Sequence, residues 1–421
     1  MLKLFAQNSN FRSMLLFSTF GGIGRGMFRI FMMWAVHALY QNPMYTGIAG
    51  FMFGLPLVIS FVVGPFIDRW NKASVLRAVE FTKFVIVTLI LLSHIFFNPG
   101  VWFLFIAILI FSIATLFGGP ALTALLPKVV DGDDLVKANV LMNITGIVGG
   151  LGVAAGLMIL LANDGDFAWI YGLNAAMLFA AVLFTLFLRY SEPATALSNE
   201  KKSVVKTYFG ELKIGFSFVK TKIMLPLVFA IVAMGLFANV ANVNFPMFAE
   251  VHFGTAFGFI LLAALALTGD LIGSILCRTV ASVFTLGKIL IVGFVITGAV
   301  RILFVNVIGI NLAGGVLIYV LYVGLAGTIG IFYHILLQKL PPKDIIGRVA
   351  TTSTSLAAVA TTVGALVGGL LGTHLDVNTV FIIQGSSYIL IGLLLCFTKH
   401  IRELPKIREV GKIVESSFTS E

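Results

Sequence analysis

Leu125-Leu126-Pro127-Lys128, followed by Asp133 and Lys137, returns later in the chain as Leu336-Leu337-Gln338-Lys339, followed by Asp344 and Arg348. The matched positions keep a constant offset of 211, half of the 421 residues. A repeat at the midpoint points to a duplicated unit, and the composition says in which solvent that unit folds. Hydrophobic residues make up 59% and charged residues 11%, against roughly 25% charged in a soluble globular chain. The mean hydropathy is +1.05. Apolar runs of roughly 20 residues, enough to cross a hydrocarbon core, recur along nearly the whole length.

Working outward from the repeat, twelve such runs are expected. They cover Met14 to Tyr40, Thr46 to Phe66, Val75 to Phe97, Val101 to Phe117, Asn139 to Leu161 and Phe167 to Leu188. The second set covers Met224 to Phe245, Phe257 to Cys277, Lys288 to Val305, Leu312 to Leu337, Val349 to Leu370 and Asn378 to Thr398. The loops that fall on one side, such as Gln41 to Met44, Glu250 to His252 and Asn306 to Asn311, contain no Lys or Arg. Cytoplasmic loops retain positive charge, so both termini are placed inside. Six spans return the chain to its starting side, and the halves are expected to be parallel repeats about the membrane normal. The expected organisation is a bundle over 1–190, a linker over 191–222, a second bundle over 223–400 and a cytoplasmic tail over 401–421. Within the linker, Gly210 to Lys222 alternates charged and apolar residues and suits a short interfacial helix. The N-terminal segment has no small-residue cleavage site and is read as retained.

Between the second and third spans stands Gly64-Pro65-Phe66-Ile67-Asp68-Arg69-Trp70-Asn71-Lys72. It resembles the signature loop of the major facilitator superfamily, G-x-x-x-D-R-x-G-R-[RK], with Asn71 in place of the second Gly, Lys72 in place of Arg and Ala73 in place of the last basic residue. The resemblance implies that Gly64, Asp68, Arg69 and Lys72 help lock the outward-facing state. Gly119-Pro120-Ala121-Leu122-Thr123-Ala124-Leu125-Leu126-Pro127 with Leu135-Val136-Lys137-Ala138-Asn139, and Leu337-Gln338 with Pro342 and Gly347-Arg348-Val349, are similar to stretches of the macrolide-efflux and siderophore-exporter branch. The fold so implied is all-α, with twelve membrane helices in two six-helix repeats.

Glycine pairs four apart, at Gly146 and Gly150, Gly152 and Gly156, Gly269 and Gly273, and Gly364 and Gly368, permit close backbone approach. They fall in the spans that line the contact between bundles in that superfamily. Gly152-Val153-Ala154-Ala155-Gly156 resembles its antiporter motif without the Pro. Charges inside the spans draw most attention, because an Arg at mid-membrane costs at least roughly 2.5 kcal/mol. Arg25 and Arg29 lie one turn apart on one face, Asp270 is read as the only deeply placed acid, and Arg301 sits in the ninth span. Asp270 is expected to neutralise Arg25 or Arg29 in one conformation and release it in another. Relatives in the branch place an Asp where Arg25 stands and often another where Asn174 stands, so this interior is cationic by comparison.

Phe31, Trp34, Phe237 and Tyr333 are candidates to line an apolar substrate cavity. His37 and His334 each stand alone on an apolar run, and Cys277 and Cys396 read as small buried hydrophobes. No phosphate-binding loop and no His and Glu metal pattern occurs, so neither an enzyme nor a cofactor or metal is expected, and the basic balance points to membrane lipids and topology instead of nucleic acid. The leading expectation is an inner-membrane, multi-pass, monomeric secondary transporter that exports an amphiphilic small molecule, macrolide-like or siderophore-like, with protons as the coupling ion. A second reading moves an anionic metabolite or lysolipid by way of Arg25 and Arg29. A third is a non-transporting membrane scaffold or sensor with the same fold.

Overall fold

A computed structural model describes residues 5, 7–60, 63, 67, 70–97, 100–130, 132–135, 137–142, 145, 166–190, 204–266, 268–342, 344–407 and 409. The described residues form helices and turns, with no strand among them. In hydrocarbon every backbone polar group needs an internal partner, and a helix supplies one within the segment. The elements are α1 (Ser9–Tyr40), α2 (Pro43–Val58), α3 (Lys72–Phe96), α4 (Val101–Val129) and α5 (Phe167–Leu186), then α6 (Val204–Val219) and α7 (Met224–Asn242). They continue with α8 (Phe245–Phe253), α9 (Ala256–Ala266), α10 (Gly269–Val283), α11 (Leu286–Ile308), α12 (Leu312–Lys339), α13 (Ile346–His374), α14 (Val377–Phe397) and the single turn α15 (Lys399–Arg402). Short polar residues start many of them. The side chains of Asn8, Asn42, Asn71, Asp166, Asn311 and Asp376 each accept a bond from an N–H of the first turn, which satisfies a donor that the helix leaves orphaned.

The chain divides into two compact units, Met1–Lys201 and Lys202–Glu421. Within the first, α3 packs on α4 and α5, α1 packs on α5, and α2 on α4. Within the second, α11 packs on α12 and α14, α7 packs on α14, and α10 on α12. The two sets correspond helix for helix, the packing expected of a duplicated unit.

Eight helical stretches among the described residues are long and apolar enough to cross a membrane: α4, α5, α7, α9 with α10, α11, α12, α13 and α14. This is a multi-pass membrane protein, and the expected count of twelve is met only in part among the described residues. Pro43–Val58 is a shorter apolar helix, and the expected span over Asn139 to Leu161 lies largely outside the described residues.

Three sequence expectations change. The fourth span does not stop at Phe117: α4 carries Pro120 and Pro127 inside it and runs on to Val129. The external loop expected at Glu250 to His252 is helical, because the chain breaks at Val243 and restarts as α8 with Pro246 in its first turn, ending at Gly254 with φ 69°. Asn244 at that break donates to the carbonyls of Val240 (2.9 Å) and Gly368 (2.8 Å), so the interruption is tied to α13. The linker helix spans Val204 to Val219 and packs on α13 in its own unit, where Gly215 lies against Arg348 and Thr352.

Two of the glycine pairs make close helix contacts inside their own unit. A Cβ on Gly269 or Gly273 would lie 2.8 Å from the Val323 carbonyl oxygen or 2.7 Å from the Thr328 nitrogen of α12. Gly364 and Gly368 lie equally close to the α7 backbone at Leu236 and Val240. These four bring helices together within one unit. The pairs at Gly146, Gly150, Gly152 and Gly156 lie outside the described residues.

Candidate functional site

The core of the first unit is two apolar clusters with a polar layer between them. One gathers Phe11, Phe17, Leu76, Leu125 and Ala181; the other gathers Phe28, Val87, Ile108, Phe111 and Leu178, with the Phe28 and Phe111 rings stacked at 3.7 Å. The layer between holds Gly21, Gly24 and Arg25 of α1 and Glu80 and Lys83 of α3. Lys83 Nζ donates to Glu80 Oε1 at 2.6 Å, with the two side chains 0% and 5% exposed. The second carboxylate oxygen, Oε2, is buried with no hydrogen-bond partner among the described residues. A Cβ on Gly21 would lie 2.8 Å from that oxygen, so a glycine there is what lets the carboxylate reach α1.

Arg25 and Arg29 are both exposed. The Arg25 guanidinium folds back along α1, its Nη2 lying 3.8 Å from where a Cβ on Gly22 would stand. That brings it to the level of the buried pair, near enough to repel the Lys83 ammonium. Asn174 of α5 is buried one turn away. With its amide oriented to satisfy both atoms, it donates to the Gly24 carbonyl at 3.0 Å and accepts from the Phe28 nitrogen at 3.3 Å. Where relatives are expected to place an acid, this chain has an amide that staples α5 to α1.

The reading of Asp270 as the only deep acid is therefore corrected: Glu80 is deeper in the protein than the sequence suggested. In the sequence Glu80 and Lys83 are not singled out, because an acid and a lysine three residues apart account for each other. The start of α3 at Lys72 puts them well inside it. Asp270 begins α10, and its side chain lies outside the described residues, as does the expected pairing with Arg25 or Arg29.

The second unit buries a cation too. Arg301 of α11 is 1% exposed. Its guanidinium carbon stands 4.5 Å from the ring centres of Tyr322 and Phe381, 5.2 Å from Phe304, 5.4 Å from Phe245 and 5.9 Å from Tyr319. Ring faces attract a cation electrostatically, most strongly where water is absent. Arg301 Nε donates to Gln384 Oε1 at 2.8 Å, and Gln384 Nε2 donates to the hydroxyls of Tyr322 (2.9 Å) and Tyr388 (3.3 Å). Tyr388 in turn donates to the Met234 carbonyl at 3.4 Å, so the chain of bonds joins α11, α14, α12 and α7. No carboxylate pairs with Arg301 among the described residues. The sequence singled out Arg301 but not its cage; the signal available was Gln384, a polar residue inside another apolar run.

The remaining candidates scatter. Phe31 and Trp34 are buried in α1, with the Trp34 ring 5.7 Å from that of His37. Phe237 of α7 is half-buried. Tyr333 of α12 is buried beside Phe294 and Leu227 around a space of about 10 Å³. Gly64, Asp68 and Arg69 lie outside the described residues. The neighbouring Trp70 stacks on Phe117 at 6.1 Å, Lys72 is buried, and Asn71 caps α3 by accepting from Ser74 N at 3.1 Å. That cap gives a physical reason for an Asn where the superfamily loop has its second Gly. An open groove of about 660 Å³ runs between α3 and α4, lined by Trp70, Ser74, Ala78, Ile113 and Phe117 among others. Among the described residues no three His, Cys, Asp or Glu side chains gather as a metal site.

Comparison with known proteins agrees with this architecture. The sequence profile of the Major Facilitator Superfamily matches residues 14–360. The Enterobactin exporter EntS of Salmonella typhimurium is 23% identical over 423 residues, covering 97% of this chain and 98% of its own. An uncharacterized MFS-type transporter, YvqJ of Bacillus subtilis, is 28% identical over 181 residues, 40% of each chain. Among solved structures, that of the nucleoside transporter NupG superposes with a TM-score of 0.67 at 16% identity, covering 92% of this chain and 98% of that one.

Proposed function

The chain belongs to the major facilitator superfamily, and from that premise we propose that it is a secondary active transporter moving a small molecule by alternating access between two six-helix halves. The halves are 1–190 and 223–400, joined by the linker 191–222 and followed by the tail 401–421, with twelve spans and both termini cytoplasmic. Substrate binds between the halves near the midplane, on a cationic surface supplied by Arg25 and Arg29 with Asp270, and against apolar walls to which Phe31, Trp34, Phe237 and Tyr333 contribute. Gly64, Asp68, Arg69 and Lys72 act as the gating loop. The transported compound is amphiphilic, siderophore-like or macrolide-like, and is exported at the expense of the proton gradient. Alignment over essentially the full length with a protein named as an enterobactin exporter supports that class.

The observation that carries the proposal is that Arg25 and Arg29, one turn apart in the middle of α1, are both exposed. Two like charges one turn apart in a membrane helix are costly without water or an anion. The same pair favours the second reading, an anionic metabolite or lysolipid, over a lipophilic cation. Purified protein in proteoliposomes, with a pH gradient imposed, should move enterobactin or a macrolide, and Arg25→Ala should lose an anion while keeping a neutral macrolide. Folded protein that moves neither compound under either gradient polarity would leave the scaffold reading in possession.

A further inference from the structure

Between residues 201 and 222, just ahead of α7, the sequence places six lysines and a single acid, Glu211. Three of those lysines share a setting in the structure. Lys213, Phe216 and Lys220 follow one another at spacings of three and four, which put them on one face of α6, and all three side chains are exposed. The Lys220 nitrogen continues the helical bonding to the Phe216 carbonyl at 3.2 Å, and its ammonium lies 4.9 Å from the centre of the Phe216 ring. The opposite face packs: Val219 is buried, and Gly215 lies against Arg348 and Thr352 of α13. Lys222, in the turn that joins α6 to α7, is exposed as well. No carboxylate pairs with any of these lysines among the described residues. Glu211 is two positions from Lys213, a spacing that shares no face.

The neighbours of α6 fix its level in the bilayer. α7, a membrane span, begins at Met224, two residues after Lys222, so Lys220 and Lys222 stand within about one turn of its start. α13 is a 29-residue helix, about 43 Å long, against a hydrocarbon core of roughly 30 Å. α6 docks on the first two turns of α13, where Arg348 is followed by an unbroken run of Ser and Thr from Thr351 to Ser355. So polar a helix end belongs to the head-group layer, because polar groups are costly in hydrocarbon.

We infer that the exposed face of α6 is a binding site for the head group of an anionic phospholipid, its phosphate drawn by the ammonium groups of Lys213, Lys220 and Lys222. The bound lipid holds the linker helix to the membrane surface. Each lysine beside a span adds about fivefold to the affinity for anionic lipid, and an aromatic ring such as Phe216 suits the boundary between hydrocarbon and water. An acidic protein segment would find the same charges, but it has no use for an exposed ring at the level of the head groups and would have to displace the lipid already there.

The test titrates the full-length protein, purified in a neutral detergent, with dioleoyl phosphatidylglycerol and separately with dioleoyl phosphatidylcholine, and counts bound lipid by native mass spectrometry. The two lipids share their chains and differ in head-group charge. Wild type should bind its first phosphatidylglycerol about tenfold more tightly than phosphatidylcholine. Lys213→Gln/Lys220→Gln/Lys222→Gln should remove that preference, and Lys213→Arg/Lys220→Arg/Lys222→Arg should keep it, both with unfolding temperatures close to wild type. Lys288→Gln/Lys399→Gln/Arg402→Gln removes the same charge from exposed positions elsewhere in the second unit and should also keep it. A preference that survives in the first variant, or that disappears equally in the last, would overturn the inference. So would a wild type that binds both lipids alike, which would leave the lysines to an acidic partner or to water. These outcomes are read without any gradient, so they stand apart from the transport reading.

Discussion

α3 and α11 hold the same place in their units, each packed on the next helix and on the last, and each buries a cation in hydrocarbon. They do it by opposite means. Lys83 meets a carboxylate on its own helix, one turn back, and shares a hydrogen bond with one of its oxygens. Arg301 meets no carboxylate among the described residues; four rings and one amide from three other helices, with Phe304 of its own, surround it. The first arrangement is local, closed within one turn of one helix, and leaves an acceptor unmet among the described residues. The second is spread over α8, α12 and α14 and contains no acid among the described residues. The first unit thus neutralises its buried cation within one helix, and the second ties several helices together around its own.

The largest effect expected from this contrast is on the ion pair. Lys83→Ala or Glu80→Ala leaves a buried charge alone and should cost about 3–5 kcal/mol. The double replacement Glu80→Gln/Lys83→Met should cost much less than either single one, because a neutral pair of similar size has no charge left to bury. Thermal unfolding of the purified protein in a mild detergent reads the ranking. Singles no worse than the double would mean that the pair is solvated and the contrast with Arg301 is false.

Arg301→Met should behave differently, since no acid is left behind. The lost bond strands Gln384 Oε1, at about 1–3 kcal/mol, and the flexible thioether fills part of the space between the rings. Arg301→Lys should do no better, because the compact ammonium cannot place a planar donor on Gln384 while lying against Tyr322 and Phe381. Unfolding measurements that rank Arg301→Met as severe as Lys83→Ala would break the comparison from the other side.

How far these features were legible in the sequence follows from their range. Apolar runs and short polar breaks mark helices locally, so most span boundaries came within a few residues, and the midpoint repeat anticipated the matched packing of the two units. α8 was missed because Glu250 and His252 look like loop residues; only the bond from Asn244 to the Gly368 carbonyl, 124 residues away, shows the break as part of the packing. The glycine pairs were recognised as close contacts, but which helix they meet is a tertiary fact. Arg25, Arg29 and Arg301 stood out because an isolated charge in an apolar run has no local explanation. Glu80 and Lys83 did not, because an acid and a lysine three residues apart explain each other.

The smallest effects concern how the two helices begin. α3 is capped by a side chain, Asn71 accepting from Ser74 N. Thr285 at the start of α11 makes no side-chain cap; instead the backbone of the C-terminal segment does the work, the Leu286 and Gly287 nitrogens donating to the carbonyls of Pro405 (3.0 Å) and Leu404 (3.4 Å). Removing the chain after Thr398 strips both acceptors and should lower stability by about 1–2 kcal/mol. Asn71→Ala should cost about 1 kcal/mol, and Asn71→Gly only a few tenths, because glycine also suits a helix start. The glycine variant restores the residue of the superfamily loop, so it separates two roles of this position. If Asn71 serves only as a cap, Asn71→Gly leaves both unfolding temperature and transport close to wild type. A variant that is as stable as wild type but altered in flux would show that the loop before α3 tunes the conformational change through Asn71, a role that the main-chain caps of α11 have no side chain to play.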